Sequence, residues 1–138
     1  MRALVQRVSR AAVSVDGKQI SEIGPGLLVL LGIAHEDDAA RAERLAAKLL
    51  ALRIFADAAG HMNETLGGRE ILCVSQFTLY GETRRGNRPS FTAAARRDLA
   101  EPLYELFCER CGAKRGVFGA HMAVELVNDG PVTLMLES

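Results

Sequence analysis

The sequence predicts an α/β fold: one domain, residues 1–138, built from mixed, largely antiparallel sheets in a barrel-like arrangement with two helices packed on them. A chain of 138 residues matches a single domain of roughly 100–150 residues and leaves no room for a second. Its 49% hydrophobic residues are enough to form a buried core. Segments with strand character outnumber the two segments with helical periodicity, so sheets should form most of the structure.

The first third of the chain predicts three strands. Apolar and polar residues alternate from Ala11 to Asp16, and Asp16-Gly17 suits a tight hairpin turn, so two antiparallel strands should open the fold. After Gly24-Pro25-Gly26, the segment Leu27–Ala34 is apolar on both faces. A strand of this composition is covered on both sides, which predicts a place at the centre of the sheet.

The middle of the chain predicts a helix from about Asp38 to Arg53, where apolar residues recur at helical spacing after the acidic residues 36–38. A short strand near residues 54–55 and a loop over residues 57–68 should follow. The segment Glu70–Leu79 is first apolar and then polar. It predicts a strand with a polar end.

A second helix is predicted from about Asp98 to Cys111, after a loop over residues 80–92. Pro102 should lie near the first turn of this helix, where its missing N–H matters little. Two alternating segments at the end of the chain flank a break at residues 128–131. They predict a closing hairpin.

Charge and composition exclude several classes of function. The 17 basic residues balance 17 acidic ones, so the chain lacks the overall positive charge of many nucleic-acid-binding proteins. The longest apolar run, residues 26–34, is far shorter than the roughly 20 residues of a membrane helix. Cys73, Cys108 and Cys111 are odd in number and lie in apolar segments. We therefore expect free thiols, a cytoplasmic location and no membrane partner.

Most residue types that could carry catalysis occur without a supporting pattern. His35, His61 and His121 have neither metal-ligand spacing nor a neighbouring nucleophile motif, and we interpret them as surface or loop residues. Cys108 and Cys111 form an isolated Cys-x-x-Cys on a helix, which predicts a structural role. No glycine pattern fits a phosphate-binding loop or a dinucleotide site. The sequence therefore predicts no metal and no cofactor.

One basic cluster is not explained by core packing. Between Thr83 and Arg97 the chain has no acidic residue and five arginines, Arg84, Arg85, Arg88, Arg96 and Arg97. In a chain without net charge, this cluster predicts a local site for an anionic ligand such as phosphate. A solvated loop with salt bridges to acidic residues elsewhere is an equally good interpretation at this point.

A second candidate site is the polar end of the predicted strand, Ser75-Gln76-Phe77-Thr78. Hydroxyl, amide and backbone N–H groups at the end of a buried strand can point into a cleft and form an oxyanion hole. A strand that simply reaches solvent would have the same composition, so the segment alone leaves both interpretations open.

Four motifs, in order along the chain, resemble those of the D-aminoacyl-tRNA deacylase family: residues 75–79 (SQFTL), 86–91 (GNRPSF), 118–122 (FGAHM) and 128–133 (NDGPVT). The opening residues 1–8 and the segment 52–55 are similar as well, so the resemblance spans the chain. The loops near residues 65–69 and 113–116 are shorter than in the family.

The resemblance implies a homodimer that hydrolyses the ester between a D-amino acid, or mischarged glycine, and the terminal adenosine of tRNA. It assigns the scissile ester to Gln76, Phe77 and Thr78, with backbone N–H groups as the oxyanion hole. Gly130 and Pro131, joined by a cis peptide bond, would enter the pocket of the partner subunit and exclude an L side chain by steric clash. The other residues assigned to substrate binding are Ser75, Phe91, Met122, Thr133 and Arg7, and those assigned to tRNA binding are Arg84, Arg85 and Arg88.

The resemblance is compatible with two mechanisms, direct attack by Thr78 or assistance by the 2′-hydroxyl of the tRNA. No base lies at a recognisable spacing from Thr78, which favours the second. Two other functions fit the residues. One is a small-molecule esterase that uses the same strand end, against which the arginine cluster argues. The other is a non-catalytic module that binds tRNA or the ribosome through that cluster.

Overall fold

The computed structural model describes all 138 residues and contains eight strands, two α-helices and one 3₁₀ turn. The strands are β1 (Arg2–Val15), β2 (Lys18–Ile23), β3 (Gly26–Gly32), β4 (Phe55–Ala56), β5 (Met62–Glu64), β6 (Glu70–Ser75), β7 (Lys114–Arg115) and β8 (Ala123–Glu137). The helices are α1 (Ala39–Ala51) and α2 (Arg97–Cys111), and the 3₁₀ turn spans Phe77–Tyr80. Neither helix combines the length and the apolar composition that crossing a membrane requires.

The first strand, β1, organises the sheet. Strands β2 and β3 follow one another along one edge of β1, and both are antiparallel to it. Strand β8 runs antiparallel along the other edge, with Glu137 opposite Arg2. The hairpin between β1 and β2 turns at Asp16 and Gly17, whose φ angles of 51° and 75° lie in the left-handed region. The two antiparallel strands predicted for the start of the fold are confirmed.

Strand β3 is central, as predicted. It pairs with β1 on one edge and parallel with β6 on the other, and β6 pairs parallel with β7. The sheet curls until its two ends approach each other: a Cβ added to Gly116, just after β7, would lie 2.6 Å from the sulfur of Met122, just before β8. The mixed, mainly antiparallel sheet is nearly closed into a barrel, which confirms the predicted fold class.

Each face of the sheet has its own hydrophobic core. The larger core contains 23 buried residues from the helices, one face of the sheet and the segments that join them. The smaller core contains 7 buried residues, all from strands. Side chains of β3 alternate between the two, with Leu27 and Val29 in the larger core and Leu28 in the smaller. This alternation is the reason why β3 is apolar on both faces.

Both helices begin close to their predicted bounds. The side chain of Asp38 caps α1 and accepts a hydrogen bond from the N–H of Arg41 at 2.8 Å. Helix α2 begins at Arg97 and continues through Pro102. The prediction that Pro102 lies near the first turn is wrong, because it is the sixth residue of the helix and removes the N–H that would bond to the carbonyl of Asp98.

Three strand predictions need correction. The strand predicted over residues 70–79 ends at Ser75, and the 3₁₀ turn follows. The predicted loop 57–68 contains β5, which pairs with β4. The prediction of a closing hairpin is wrong, because residues 123–137 form the single strand β8. Strand β1 is 14 residues long, so it pairs with β8 on both sides of the bend at Gly130 and Pro131.

Candidate active site

A pocket of about 650 Å³ lies where β3 and β6 end beside the first residues of α2. One part of its wall is the polar segment Ser75–Thr78, and another is the segment Phe118–Met122 that leads into β8. Leu31 and Ile33, from the end of β3 and the residue after it, add apolar surface. A mainly apolar pocket with a few polar groups at one side is typical of a small-ligand site.

Two backbone N–H groups in the pocket wall have no partner. The N–H of Gln76 still bonds to the carbonyl of Leu31 at 2.8 Å, but the chain then leaves the sheet. The N–H groups of Phe77 and Thr78 donate to no acceptor in the chain. Both residues line the pocket at the start of the 3₁₀ turn. Two adjacent free donors of this kind can stabilise an oxyanion.

The side chains of Gln76 and Thr78 contact each other. The amide Nε2 of Gln76 donates a hydrogen bond to the hydroxyl oxygen of Thr78. This is the only hydrogen bond of the Thr78 side chain, and no imidazole or carboxylate is hydrogen-bonded to it. The structure therefore brings together Ser75, Gln76, Phe77 and Thr78, as the sequence predicts, but it gives Thr78 no base.

The 3₁₀ turn lies close to the end of β3 because Gly32 has no side chain. A Cβ on Gly32 would lie 3.1 Å from the carbonyl oxygen of Gln76 and 3.2 Å from the ring of Tyr80. On the outer side of the turn, the rings of Phe77 and Phe91 meet edge to face with their centroids 5.1 Å apart. Phe91 is therefore placed beside the pocket rather than in its wall.

The segment 118–122 supplies Met122, which the resemblance assigns to substrate binding, and His121, which sequence reasoning did not assign to a site. Met122 lines the pocket, and so does His121, which the sequence had suggested to be a surface or loop residue. Arg97 also lines it and lies 5.7 Å from the centre of the Phe118 ring. The contact between Arg97 and Glu101, 2.7 Å long, raises the pKa of the arginine and lowers that of the carboxyl group. The motif at 118–122 is the sequence signal that indicates Met122 and His121, and the arginine cluster is the signal that indicates Arg97.

Gly130 and Pro131 lie in the bend of β8 and do not line the pocket of their own chain. Their peptide bond is cis, as the resemblance implied. Arg7 holds the bend: its Nε donates to the carbonyl of Asp129 at 3.1 Å and lies 3.0 Å from the carboxylate, and its Nη1 donates to the carbonyl of Ile54 at 2.6 Å. The Arg7 side chain is 13% exposed, so these contacts lie largely out of solvent.

Strand β8 has a free edge and carries exposed apolar side chains. Strand β8 pairs only with β1, so its other edge is free. Val127, Leu134 and Met135 are 44%, 37% and 48% exposed. Thr133, on the same strand, accepts a hydrogen bond from Gln6 Nε2 at 3.3 Å. A free strand edge with exposed apolar side chains indicates a contact surface.

The loop that carries Arg84, Arg85 and Arg88 is exposed and is closed at its base by two hydrogen bonds between Glu82 and Ser90, at 2.8 and 3.0 Å. The Arg84 guanidinium binds the Glu82 carboxylate and lowers its pKa to about 2. Arg85 and Arg88 form no ion pair. One arginine of the three is thus neutralised within the loop, and two are free to contact an anion.

The cysteines belong to the core between β6 and α2. All three are free and buried. The hydroxyl of Tyr104 donates to the carbonyl of Cys73 at 2.8 Å. Burial raises the pKa of Cys73, and a hydrogen bond with the Cys73 thiol lowers that of Cys108. None of the three lines the pocket.

The chain matches known proteins over almost its whole length. A family model described as D-Tyr-tRNA(Tyr) deacylase matches residues 4–137. A D-aminoacyl-tRNA deacylase of Symbiobacterium thermophilum is 54% identical over 145 residues, which cover 100% of this chain and 96% of the relative. A D-aminoacyl-tRNA deacylase of Opitutus terrae is 56% identical over 148 residues, which cover 100% of this chain and 97% of the relative.

Two solved structures have the same fold. One, described as a c-Myc DNA unwinding element binding protein, has a TM-score of 0.94 at 47% identity and covers 100% of this chain and 99% of its own. The other, described as a probable eukaryotic D-amino acid tRNA deacylase, has a TM-score of 0.84 at 17% identity. The match covers 98% of this chain and 97% of the other, and it supports the fold alone. The family match, the relatives at more than half identity and the site geometry agree: this chain belongs to the D-Tyr-tRNA(Tyr) deacylase family.

Proposed function

We propose that this protein hydrolyses the ester bond of D-aminoacyl-tRNA, and of mischarged glycyl-tRNA, and releases the free amino acid and the tRNA. The observation that carries the proposal is the pair of free N–H groups of Phe77 and Thr78 in the pocket wall. Membership of the family supports it, since the relatives bear the name D-aminoacyl-tRNA deacylase. The reaction needs no cofactor.

The free N–H groups would act on the charge that develops during hydrolysis. Water adds to the ester carbonyl carbon and makes a tetrahedral oxyanion, which the N–H groups of Phe77 and Thr78 stabilise. The bond to the ribose oxygen then breaks, and that oxygen takes the proton that the attacking water gave up. In other enzymes, the loss of one such donor lowers kcat by about 10²–10³. The 2′-hydroxyl of the ribose, next to the ester, is the group that assists the attack.

The apolar part of the pocket would hold the terminal adenosine. Leu31, Ile33 and Phe118 form a surface that suits a flat aromatic base. A base seated there would bring the attached ribose and its ester toward Gln76 and Thr78 on the polar side. The pocket volume of about 650 Å³ fits a ligand of this size.

The second part of the proposal is a homodimer in which the bend of β8 completes the partner's site. The exposed apolar side chains of β8 and its free edge support a contact with a second copy. Gly130 and Pro131 lie on this strand, away from the pocket of their own chain. A rigid backbone beside the substrate Cα blocks an L side chain, whereas a D side chain points away from it. Recognition by backbone alone would accept many different amino acids.

The tRNA would contact the loop between Glu82 and Ser90. Arg85 and Arg88 form no ion pair, which leaves their guanidinium groups free for phosphates. Arg84, which is bound to Glu82, would contribute less. The same two free arginines favour the alternative function, a non-catalytic module that binds tRNA or the ribosome.

A deacylation assay separates these functions. D-tyrosyl-tRNA, L-tyrosyl-tRNA, glycyl-tRNA and a free D-tyrosine ester are each incubated with the protein, and the release of amino acid is measured. We expect release from D-tyrosyl-tRNA and glycyl-tRNA only. Binding of tRNA without any release would instead support the non-catalytic module, and hydrolysis of the free ester at the same rate would indicate a small-molecule esterase.

A further inference from the structure

We infer that Arg2 is a positioning residue for this hydrolysis: from the first strand, it holds the end of the 3₁₀ turn whose first residues carry the free N–H groups. The inference rests on the proposed function. Arg2 is not among the site residues predicted from the sequence, and it lies outside the pocket wall.

Arg2 makes three contacts with one side chain. Its Nη1 donates a hydrogen bond to the carbonyl of Leu79 at 3.0 Å. Its guanidinium carbon lies 4.7 Å from the centre of the Tyr80 ring. Its Nε donates to the carboxylate of Glu137 at 2.8 Å. Since Leu79 and Tyr80 end the 3₁₀ turn and Glu137 ends β8, one guanidinium joins the turn to the edge of the sheet.

The turn depends on such a contact because its own hydrogen bonds are local. The N–H of Leu79 donates to the carbonyl of Gln76 at 3.2 Å, and the N–H of Gly81 donates to the carbonyl of Thr78 at 2.9 Å. A 3₁₀ turn of four residues has weak hydrogen-bond geometry and little cooperativity. Its packing against Gly32 limits movement toward β3, but Phe77, at its start, is 55% exposed.

The Leu79 contact lies one residue away from the catalytic part of the turn. Thr78 carries one of the two free N–H groups and is directly bonded to Leu79. A shift of the Leu79 carbonyl rotates the peptide groups before it, so it changes the direction of the Thr78 N–H. A misplacement of about 1 Å at a reacting group can lower a rate about hundredfold. Arg2 can therefore affect the chemical step without touching the substrate.

Arginine suits this position better than lysine. Its planar fork lets Nε and Nη1 serve two acceptors at once while the flat face covers an aromatic ring. Burial, with a smaller effect of the Asp37 carboxylate, raises the pKa of Tyr80 to about 12, so the ring stays an uncharged phenol. A lysine has one ammonium group and cannot reach the Leu79 carbonyl, the Tyr80 face and Glu137 together.

The ion pair with Glu137 is the least important of the three contacts. The side chains of Arg2 and Glu137 are 40% and 61% exposed, and exposed pairs contribute little. The end of β8 is already paired with β1 by backbone hydrogen bonds. If Arg2 acted only through this surface ion pair, removing Arg2 and removing Glu137 would have the same effect on kcat. If Arg2 acts by holding the turn, removing Arg2 has the larger effect.

The test compares four variants, Arg2→Ala, Arg2→Lys, Glu137→Gln and Arg10→Ala. Arg10 is an exposed arginine on the same strand without side-chain hydrogen bonds, which makes it the matched control. For D-tyrosyl-tRNA we expect Arg2→Ala to lower kcat about tenfold or more, with KM within about twofold of wild type. Arg2→Lys should recover part of kcat. Glu137→Gln and Arg10→Ala should stay within about twofold of wild type.

Amide spectra give a second readout that does not depend on activity. In Arg2→Ala, the NMR signals of the Phe77 and Thr78 N–H groups should shift, and in Arg10→Ala they should not. Unchanged kcat and unchanged amide signals in Arg2→Ala would overturn the inference, and so would an equal loss of kcat in Glu137→Gln or Arg10→Ala. If the wild type releases no amino acid, the proposed function fails, while the amide signals still decide whether Arg2 holds the turn. If Arg2→Ala does not fold, kcat and the amide signals of Arg2→Lys are compared with those of wild type instead.

Discussion

Gln76 donates its side-chain amide to the hydroxyl oxygen of Thr78, and no other group bonds to that hydroxyl. An amide is not a base in either of its two orientations. His121 is the one imidazole in the pocket wall, and it forms no hydrogen bond with Thr78. The Thr78 hydroxyl therefore has no partner that could take its proton, which makes direct attack by Thr78 the weaker of the two mechanisms.

The first prediction compares a change in the enzyme with a change in the substrate. Thr78→Ala should keep kcat for D-tyrosyl-tRNA within about tenfold of wild type, because the backbone N–H of residue 78 remains. A tRNA that ends in 2′-deoxyadenosine should lose most of the rate, because the assisting hydroxyl is missing. Steady-state kinetics measure both. An acyl-threonine adduct at Thr78 in the mass spectrum, or full turnover of the 2′-deoxy substrate, would contradict this mechanism.

The second prediction tests the free N–H of Phe77. Phe77→Pro removes this donor, whereas Phe77→Ala removes the ring and keeps the donor. Proline is tolerated at the first position of a helical turn, so the fold should remain. We expect kcat of Phe77→Pro to be about hundredfold below that of Phe77→Ala, as for the loss of an oxyanion donor in other enzymes. Equal rates in the two variants would show that this N–H does not stabilise the oxyanion.

The third prediction concerns the bend of β8. Arg7→Ala removes the contacts to the carbonyls of Asp129 and Ile54 and should lower the free energy of unfolding by about 2 kcal/mol. It should also lower the ratio of D- to L-tyrosyl-tRNA hydrolysis, because Gly130 and Pro131 lose their support. Asp129→Asn keeps both carbonyl contacts and is the control, with an expected effect below about 1 kcal/mol. Denaturant unfolding and the deacylation assay measure the two effects, and a variant Arg7→Ala with unchanged selectivity would argue against this role.

The fourth prediction concerns the arginine loop. Reversing the charge with Arg85→Glu and Arg88→Glu should raise KM for aminoacyl-tRNA and make it less dependent on salt, because fewer counterions are released on binding. Arg84→Glu should have a smaller effect on KM, since Arg84 is already bound to Glu82. The measurement is KM over a series of salt concentrations. The same salt dependence in wild type and in both variants would exclude phosphate contacts by this loop.

The fifth prediction concerns the homodimer. Val127→Asp together with Met135→Asp places two charges at exposed apolar positions of β8 and should produce a monomer without activity. Ile20→Asp is the control, because Ile20 is 41% exposed on β2 and should leave the assembly unchanged. Light scattering combined with size exclusion measures the mass. A wild-type monomer with full activity would refute the shared site.

Elements with a strong local pattern could be predicted from the sequence. The apolar spacing between residues 38 and 53 matches α1, and the two apolar faces of Leu27–Ala34 match the central strand β3. The hairpin at Asp16 and Gly17 follows from backbone conformations that these two residue types tolerate. Each of these depends on interactions among residues that are close in the chain.

Elements that depend on distant partners were predicted less well. The sequence predicts that β6 continues past Ser75 to Leu79, but the chain turns at Ser75 because the 3₁₀ turn packs against Gly32 and is held by Arg2. Strand β8 passes through Gly130 and Pro131 because β1 offers one long edge on both sides of the bend. His121 could not be assigned to the pocket, since its distance along the chain from Ser75 says nothing about their distance in space.

The sequence by itself determined the α/β class, both helices, the central strand and, through four motifs in order, the family. Those properties follow from local periodicity and from residue identity, which are present in the chain before it folds. Only the tertiary structure decided that the N–H groups of Phe77 and Thr78 have no acceptor and that His121 shares their pocket. The physical reason is that a free donor is defined by the absence of every partner in space, so it exists only after the sheet has curled and each strand has taken its neighbours.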